Sequence, residues 1–285
     1  MTVRIFISIL LMLLFVQRSN AFQIKHQPDL LLPIESSVRK GANSCPNFFK
    51  FGAPYILDTT TSQRSFFSCR RAYASMYDPN LKVPIWVAEH LVGKDTKGSA
   101  SRNNIDFIQD PLVPSIYQAS HQDYFRSGYQ KGHMAPAADF KNDQVALNES
   151  FLFTNSIPQA PQQNMRVWNY LESSVRQLLR RRQELYVVTG PVFLNPRPNK
   201  INNSVSVPDA VFKVIHDPST DTMTAFMVPN GDSVSDDFTQ YQTTVREIEK
   251  KTGINFNPKL TRSQADTMEV NGGDIIMPKF VPRER

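Results

Sequence analysis

The chain has 285 residues, with 32 Lys and Arg residues against 26 Asp and Glu residues and a formal charge of +6. Hydrophobic residues make up 40% of it and charged residues 20%, a balance that excludes both a disordered and a fibrous protein. The length suits one large or two small domains. Because Cys45 and Cys69 are the two cysteines, a disulfide-dense fold and a four-cysteine zinc site are excluded as well.

The first 21 residues have the layout of a secretory signal peptide. Arg4 precedes an apolar run over residues 5–16, and small residues stand at the −3 and −1 positions of a cleavage site after Ala21. The run is shorter than the roughly 20 residues that a membrane-spanning helix needs. We therefore expect a secreted protein. The alternative is a mitochondrial leader or signal anchor, which would place the protein in the intermembrane space or at the inner membrane.

Three segments follow from the pattern of turns and breaks. Residues 1–21 form the leader, residues 22–65 are a turn-rich N-terminal arm broken by four prolines, and residues 66–285 form the main domain. In an oxidising compartment Cys45 and Cys69 could form a disulfide, and two separate thiols are the equal alternative.

The hydrophobic pattern of the main domain predicts an α+β fold with a mixed or antiparallel sheet. Runs of β-branched and aromatic residues indicate strands, and the run at 185–189 is apolar enough for a buried central strand. The predicted strands lie within residues 66–75, 83–91, 151–155, 185–189, 207–214 and 223–228.

Two helices are predicted. The first shows its apolar residues on one face and ends in three arginines, where the helix dipole favours cations. The second is expected over residues 236–251, with Gly253 as its stop. The apolar face of the first helix consists of Trp168, Leu171, Val175, Leu178 and Leu179.

His133 lies in a constrained loop, between Gly128 and Gly132 on one side and Pro136 on the other. Such a loop presents an imidazole in one orientation. A neutral imidazole with an ordinary pKa near 6.5 is suited to act as a general base at neutral pH. The other histidines are less informative: His26, His121 and His216 are expected to be solvated, and His90 is expected to be a strand residue.

The polar residues that follow His133 have helix spacing. Glu172 and Arg176 are four residues apart and share a helix face. Asn164 precedes Glu172 by eight residues, which places the two about 80° apart around a helix. An amide oxygen, a carboxylate and a guanidinium can therefore converge, and an amide oxygen with several waters suits a hard cation such as Mg²⁺.

These residues together resemble a known family. The Gly-His-Met-Ala-Pro-Ala loop at 132–137, the segment FLFTNSIPQ at 151–159, Asn164 and the segment YVVTGP at 186–191 are similar to the DNA/RNA non-specific nucleases. This family of ββα-metal (His-Me finger) enzymes includes endonuclease G and its mitochondrial exonuclease-like paralogue. The similarity covers roughly residues 66–260.

The resemblance implies a role for each matching position. His133 would be the general base, Asn164 the direct protein ligand of Mg²⁺ or Mn²⁺, and Glu172 a carboxylate that holds a water on the metal. Asn155 would fix the His133 ring by a hydrogen bond. Arg176 and Arg102 would neutralise the negative charge of the transition state. Lys131 would contact the substrate.

The resemblance implies a metal-dependent nuclease that cuts DNA and RNA with little sequence preference, leaves 5′-phosphate ends and forms homodimers. The family's usual Asp-Arg-Gly-His loop reads Gln130-Lys131-Gly132-His133 here, so an acid is lost and a lysine replaces the planar fork of arginine. Two alternatives follow: a weak or inactive homologue that only binds nucleic acid, and a hydrolase for a different phosphodiester.

Overall fold

The computed structural model describes residues 45–270 together with residues 275, 277 and 278. The predicted leader and the first half of the predicted arm lie outside these residues. Within the described part of the chain, no helix combines the length and apolar character needed to cross a bilayer.

A seven-stranded antiparallel sheet forms the centre of the described domain, with strand order β12-β11-β10-β7-β4-β3-β2. Three two-stranded sheets, β1-β13, β5-β6 and β8-β9, lie outside it. The strands are β1 (Tyr55–Ile56), β2 (Phe66–Cys69), β3 (Tyr73–Asp78), β4 (Val83–Val92), β5 (Gln130–His133), β6 (Ser156–Gln159), β7 (Glu184–Val192), β8 (Lys200–Ile201), β9 (Val205–Ser206), β10 (Ala210–Asp217), β11 (Thr222–Pro229), β12 (Gln242–Thr243) and β13 (Ile254–Asn255).

The helices are mostly short. The longest described one, over residues 169–182, ends at Gln183, which adopts a left-handed backbone with φ of 70°. Three arginines in its last turn favour that end through the helix dipole. The α-helices are α1 (Thr59–Arg64), α2 (His121–Tyr124), α3 (Gln144–Glu149), α4 (Pro161–Gln163), α5 (Asn169–Arg182), α6 (Val245–Thr252) and α7 (Arg262–Met268).

The central sheet separates two hydrophobic cores. One core contains Val87, Val187 and Ile215 of the sheet and the apolar face of α5. The other contains sheet residues such as Trp86 and Phe212 together with buried residues of α6. Because successive strand residues point to opposite faces, one sheet supplies both cores. The predicted α+β class is therefore confirmed, and so is the buried central position of the strand at 185–189, which lies within β7 between β4 and β10.

Two predicted elements differ from the structure. In the predicted strand 151–155, only Leu152 forms a β-bridge, and Phe153–Asn155 is a 3-10 turn. The strand that pairs with β5 is β6, which starts at Ser156, directly after the predicted strand. The predicted helix 236–251 is divided. Its first part is a 3-10 turn at Phe238–Tyr241, and α6 begins only after Thr244, whose side chain accepts from the Glu247 N–H.

The second half of the predicted arm packs with the domain. Strand β1 pairs with β13 near the other end of the described chain, and Ile56 is buried in the core that also contains Trp86. The packed domain therefore starts before residue 66. Cys45 is buried and Cys69 has a free, exposed thiol, so the two cysteines are not joined to each other.

Candidate active site

Two short strands and a helix carry the candidate site. Strands β5 and β6 pair antiparallel, with His133 opposite Ser156. The chain then continues through α4 and a π-helical turn, Asn164–Trp168, into α5. A side chain at Gly132 would overlap the side chain of Gln159, so the close approach of β5 and β6 requires glycine at this position.

A cleft of about 840 Å³ lies over this unit. It brings together six of the seven positions singled out from the sequence, although these residues come from segments up to 74 positions apart. The six residues that line it are Arg102, Lys131, His133, Asn164, Glu172 and Arg176.

The His133 ring is held by aromatic side chains. The rings of Phe107 and Phe151 each lie 4.7 Å from it, measured between centroids. The guanidinium of Arg102 lies 5.5 Å from the centroid of the Phe151 ring. The Nε2 atom of His133 is buried and has no hydrogen-bond partner in the described structure.

Burial of the imidazole lowers the pKa of His133 to about 3, and the positive charge of Arg102 adds to this effect. Both causes disfavour the protonated ring. At neutral pH the side chain is therefore neutral, which is the protonation state that a general base requires.

The side chain of Asn164 is oriented by Gln130. The Asn164 Nδ2 atom donates a hydrogen bond to Gln130 Oε1 at 2.8 Å. Because this bond uses the amide nitrogen, the amide oxygen of Asn164 is left to act as an acceptor or as a metal ligand.

Glu172 and Arg176 occupy one face of α5, as their spacing predicts. The Arg176 Nη1 atom donates to Asp139 Oδ1 at 2.9 Å, and its Nη2 atom donates to Ser173 Oγ at 3.0 Å. Burial raises the pKa of Glu172 to about 7, while the nearby cations Lys213 and Arg176 act in the opposite direction. Asp139 and Lys213 were not singled out from the sequence, because both lie outside the spacing pattern of the helix.

The expected contact between Asn155 and the His133 ring is wrong. Asn155 is fully buried, and its Oδ1 atom accepts a hydrogen bond from the backbone N–H of Ala135 at 2.9 Å. Its Nδ2 atom donates to the carbonyl oxygens of Ala135 and Ser150. Asn155 therefore fixes the backbone that follows His133, because that backbone offers a donor and an acceptor at amide spacing.

Lys131 lies at the rim of the cleft in a polar cluster. Its Nζ atom lies 3.1 Å from Asp106 Oδ1 and 2.9 Å from His121 Nδ1. The second ring nitrogen of His121 bonds to the carbonyl oxygen of Phe107 at 2.7 Å. The His121 side chain is 54% exposed, so the expectation that it is solvated holds, although the ring also takes part in this cluster. The same expectation is wrong for His216, which is 4% exposed in strand β10.

The donor set of the cleft fits a hydrated divalent cation. In the described residues, no three His, Cys, Asp or Glu side chains form a cluster that could hold a metal by themselves. An amide oxygen from Asn164 and a carboxylate from Glu172 would instead hold an ion that keeps most of its water. Mg²⁺ has this preference, since it dehydrates reluctantly and takes oxygen ligands.

The fold and this cleft define a protein of the ββα-metal class. A solved structure of an EndoG/EndoGI complex has the same fold, with a TM-score of 0.63 and 30% identity, and the match covers 70% of this chain and 88% of that one. The profile of the family described as DNA/RNA non-specific endonuclease matches residues 54–263. The chain belongs to this family.

Relatives with similar sequences are named as nucleases. Nuclease EXOG, mitochondrial, of Danio rerio is 35% identical over 204 residues, which cover 66% of this chain and 60% of that protein. Mitochondrial nuclease of Saccharomyces cerevisiae is 30% identical, with 79% of this chain and 74% of that protein covered. Nuclease C1 of Cunninghamella echinulata is 32% identical, with 67% and 82% covered. The chain spans about three fifths of the length of the EXOG relatives it matches.

Proposed function

We propose that this protein is a metal-dependent nuclease that hydrolyses phosphodiester bonds of DNA and RNA with little sequence preference. The observation that carries the proposal is the convergence of His133, Asn164, Glu172 and Arg176 on one cleft. These four supply a base, an amide oxygen that would bind a metal ion, a carboxylate that would hold a water on that ion, and a positive charge for the phosphate. Membership of the family and the names of the relatives support the same activity.

In this proposal the neutral His133 ring, which lines the cleft, accepts a proton from the attacking water. A pKa of about 3 keeps the ring neutral but makes it a weak base. A phosphate bound at Arg102 offsets the positive charge that lowers the pKa of His133. Substrate binding then raises that pKa and strengthens the base.

Asn164 and, through a water, Glu172 would hold the divalent cation, with Mg²⁺ as the first candidate and Mn²⁺ as a substitute. When bound, the cation supplies positive charge that stabilises the leaving 3′ oxygen. Cleavage on that side leaves the phosphate on the 5′ end of the product. Arg176, fixed by Asp139 at 2.9 Å, offsets the additional negative charge of the transition state.

Lys131 contacts the phosphate backbone in this proposal, and so does Arg102. Contacts to phosphates position a nucleic acid without reading its bases, which accounts for the expected lack of sequence preference. A neutral Gln130 in place of an acid does not favour the inactive alternative, because Gln130 still supplies the acceptor that orients Asn164.

Two further properties are proposed from the relatives and the family. The mitochondrial names of several relatives favour the mitochondrial alternative over secretion for the leader at residues 1–21. Sequencing the mature N-terminus and locating the protein in fractionated cells separate the two destinations. The family also suggests a homodimer, which light scattering during gel filtration tests.

The test of the proposed activity is degradation of supercoiled plasmid and of single-stranded RNA by the purified protein in Mg²⁺, in Mn²⁺ and in EDTA. We expect cleavage of both nucleic acids in metal, none in EDTA, and products that ligate without added phosphate. Products that need phosphorylation before ligation would show that the proposed bond is the wrong one. Binding of plasmid without cleavage in either metal would instead support the nucleic-acid-binding alternative.

A further inference from the structure

A polar layer lies on the sheet directly beneath helix α5. Lys213 in β10 stands opposite Thr189 in β7, and Glu89 in β4 stands opposite Val187. Since side chains two apart in a strand share a face, these four side chains point to the same side of the sheet. Val187 belongs to the core that contains the apolar face of α5, so this side is the one that carries the candidate site.

Lys213 is fixed in that layer. It is 2% exposed, and its Nζ atom donates a hydrogen bond to Thr189 Oγ1 at 2.7 Å. The same Nζ atom lies 5.1 Å from the centroid of the Trp168 ring, within cation–π range. Trp168 ends the π-helical turn that begins at Asn164 and leads into α5.

Two carboxyl groups respond to the charge of Lys213. Glu89 is fully buried, and neither of its oxygens has a hydrogen-bond partner in the described structure. Burial raises the pKa of Glu89 and also that of Glu172, and Lys213 opposes this rise in both. Of the neighbouring cations, Lys213 has the largest lowering effect on the pKa of each of these two carboxyl groups.

We propose that Lys213 is a positioning residue of the active site, which holds Trp168, and with it the start of helix α5, from the sheet side. Trp168 joins the turn that carries Asn164 to the helix that carries Glu172. An ammonium group fixed under this junction sets the position of both Asn164 and Glu172 without contacting the substrate.

This inference rests on the proposed nuclease function. A double-mutant cycle that is read out by kinetics, by stability and by spectroscopy distinguishes failure of the inference from failure of the function. The variants are Lys213→Met, Glu89→Gln and their combination. Glu89 is a buried carboxyl group without a hydrogen-bond partner, so replacing it together with Lys213 avoids leaving it as an uncompensated buried charge and keeps the protein testable if the single lysine variant unfolds. Lys82→Met is the matched control, because Lys82 also donates to a hydroxyl, Ser204 Oγ at 3.1 Å, but lies outside the cleft lining.

The readouts are kcat and KM on plasmid, the melting temperature, and the ¹⁹F spectrum of protein labelled with 5-fluorotryptophan. The two tryptophans give two resonances, which Trp86→Phe assigns. We expect Lys213→Met to lower kcat on the order of 10- to 100-fold with little change in KM, as is found for residues that orient metal ligands. The Trp168 resonance shifts and that of Trp86 does not. Lys82→Met changes neither kcat nor the Trp168 resonance.

The double variant gives the decisive comparison. We expect it to recover the melting temperature lost in Lys213→Met while kcat stays low and the Trp168 resonance stays shifted. Recovery of kcat together with stability would overturn the proposal, since Lys213 would then only neutralise Glu89. If the unmutated protein cuts no nucleic acid, the nuclease function fails. The Trp168 resonance still decides the positioning role, because an unshifted resonance in Lys213→Met contradicts it.

Discussion

The Oε1 atom of Gln130 accepts a hydrogen bond from Asn164 Nδ2 at 2.8 Å and so joins the first residue of strand β5 to the turn before helix α5. The family's usual residue at position 130 is an acid, whose carboxylate also accepts hydrogen bonds. Glutamine therefore keeps the acceptor and gives up the negative charge. The departure from the family pattern preserves the orientation of the proposed metal ligand.

The first prediction concerns this acceptor. Gln130→Leu removes it and should lower nuclease activity on the order of 10- to 100-fold while raising the Mg²⁺ concentration needed for half-maximal rate. Gln130→Glu keeps an acceptor and should retain activity within several-fold. Gln162→Leu, at an exposed position on α4, is the control. A Gln130→Leu protein with normal rate and normal Mg²⁺ dependence would show that Asn164 needs no orientation by this residue.

The second prediction follows from the lowered pKa of His133 and concerns the metal-free protein. The unfolded chain binds a proton below the ordinary pKa of 6.5, whereas the folded ring stays neutral down to about 3. The folded state therefore loses stability as the pH falls from 6.5 toward 3. His133→Asn should remove about 3 kcal/mol of this loss at pH 4.5. Urea unfolding in EDTA at pH 7 and pH 4.5 measures the free energy of unfolding of the unmutated protein and of His133→Asn. An identical pH dependence in the two proteins would contradict the prediction.

The third prediction separates a backbone clamp from a contact with the His133 ring. Asn155→Ala leaves buried groups of Ala135 and Ser150 without partners, so it should lower the free energy of unfolding by about 2–4 kcal/mol. Activity should fall along with stability. Denaturant unfolding and plasmid cleavage on the same samples test this. A variant of full stability but without activity would restore the role that the sequence suggested.

The fourth prediction concerns Lys131 at the rim of the cleft. Lys131→Met should weaken binding of all sequences alike and reduce the slope of log affinity against log salt by about 1, as expected for one phosphate contact. Lys250→Met, an exposed lysine paired with Glu247 on α6, should leave the slope unchanged. The measurement is a salt titration of DNA binding in Ca²⁺ or EDTA. An unchanged slope for Lys131→Met excludes the phosphate contact.

Features carried by local spacing could be predicted from the sequence. The apolar period of the helix at 169–182 and the four-residue step from Glu172 to Arg176 both depend on residues one or two turns apart. The buried strand β7 was predictable because its run is apolar on both faces. Each of these signals lies within a single element.

Features that depend on pairing between distant segments could not be predicted. Asn155 bonds to a backbone 20 residues away, and His121 contacts both Lys131 and the carbonyl oxygen of Phe107 only because two separate segments meet there. Lys213 reaches the site through a sheet whose register the sequence does not state. A turn at 236–243 was also predicted as helix, since its apolar spacing continues into α6 while the Thr244 cap interrupts the helix itself.

His133 is the proposed general base of a nuclease, and the most direct test compares single-turnover cleavage by the unmutated protein, His133→Ala and His90→Ala. His90 is the matched control, because it is a histidine of strand β4 that stacks on Tyr186 at 4.3 Å, outside the cleft lining. Loss of a general base costs about 10²- to 10⁴-fold. We predict a loss of this size for His133→Ala, with DNA binding intact, and little change for His90→Ala. Equal rates for all three proteins would contradict the assignment of the base and of this cleft as the active site.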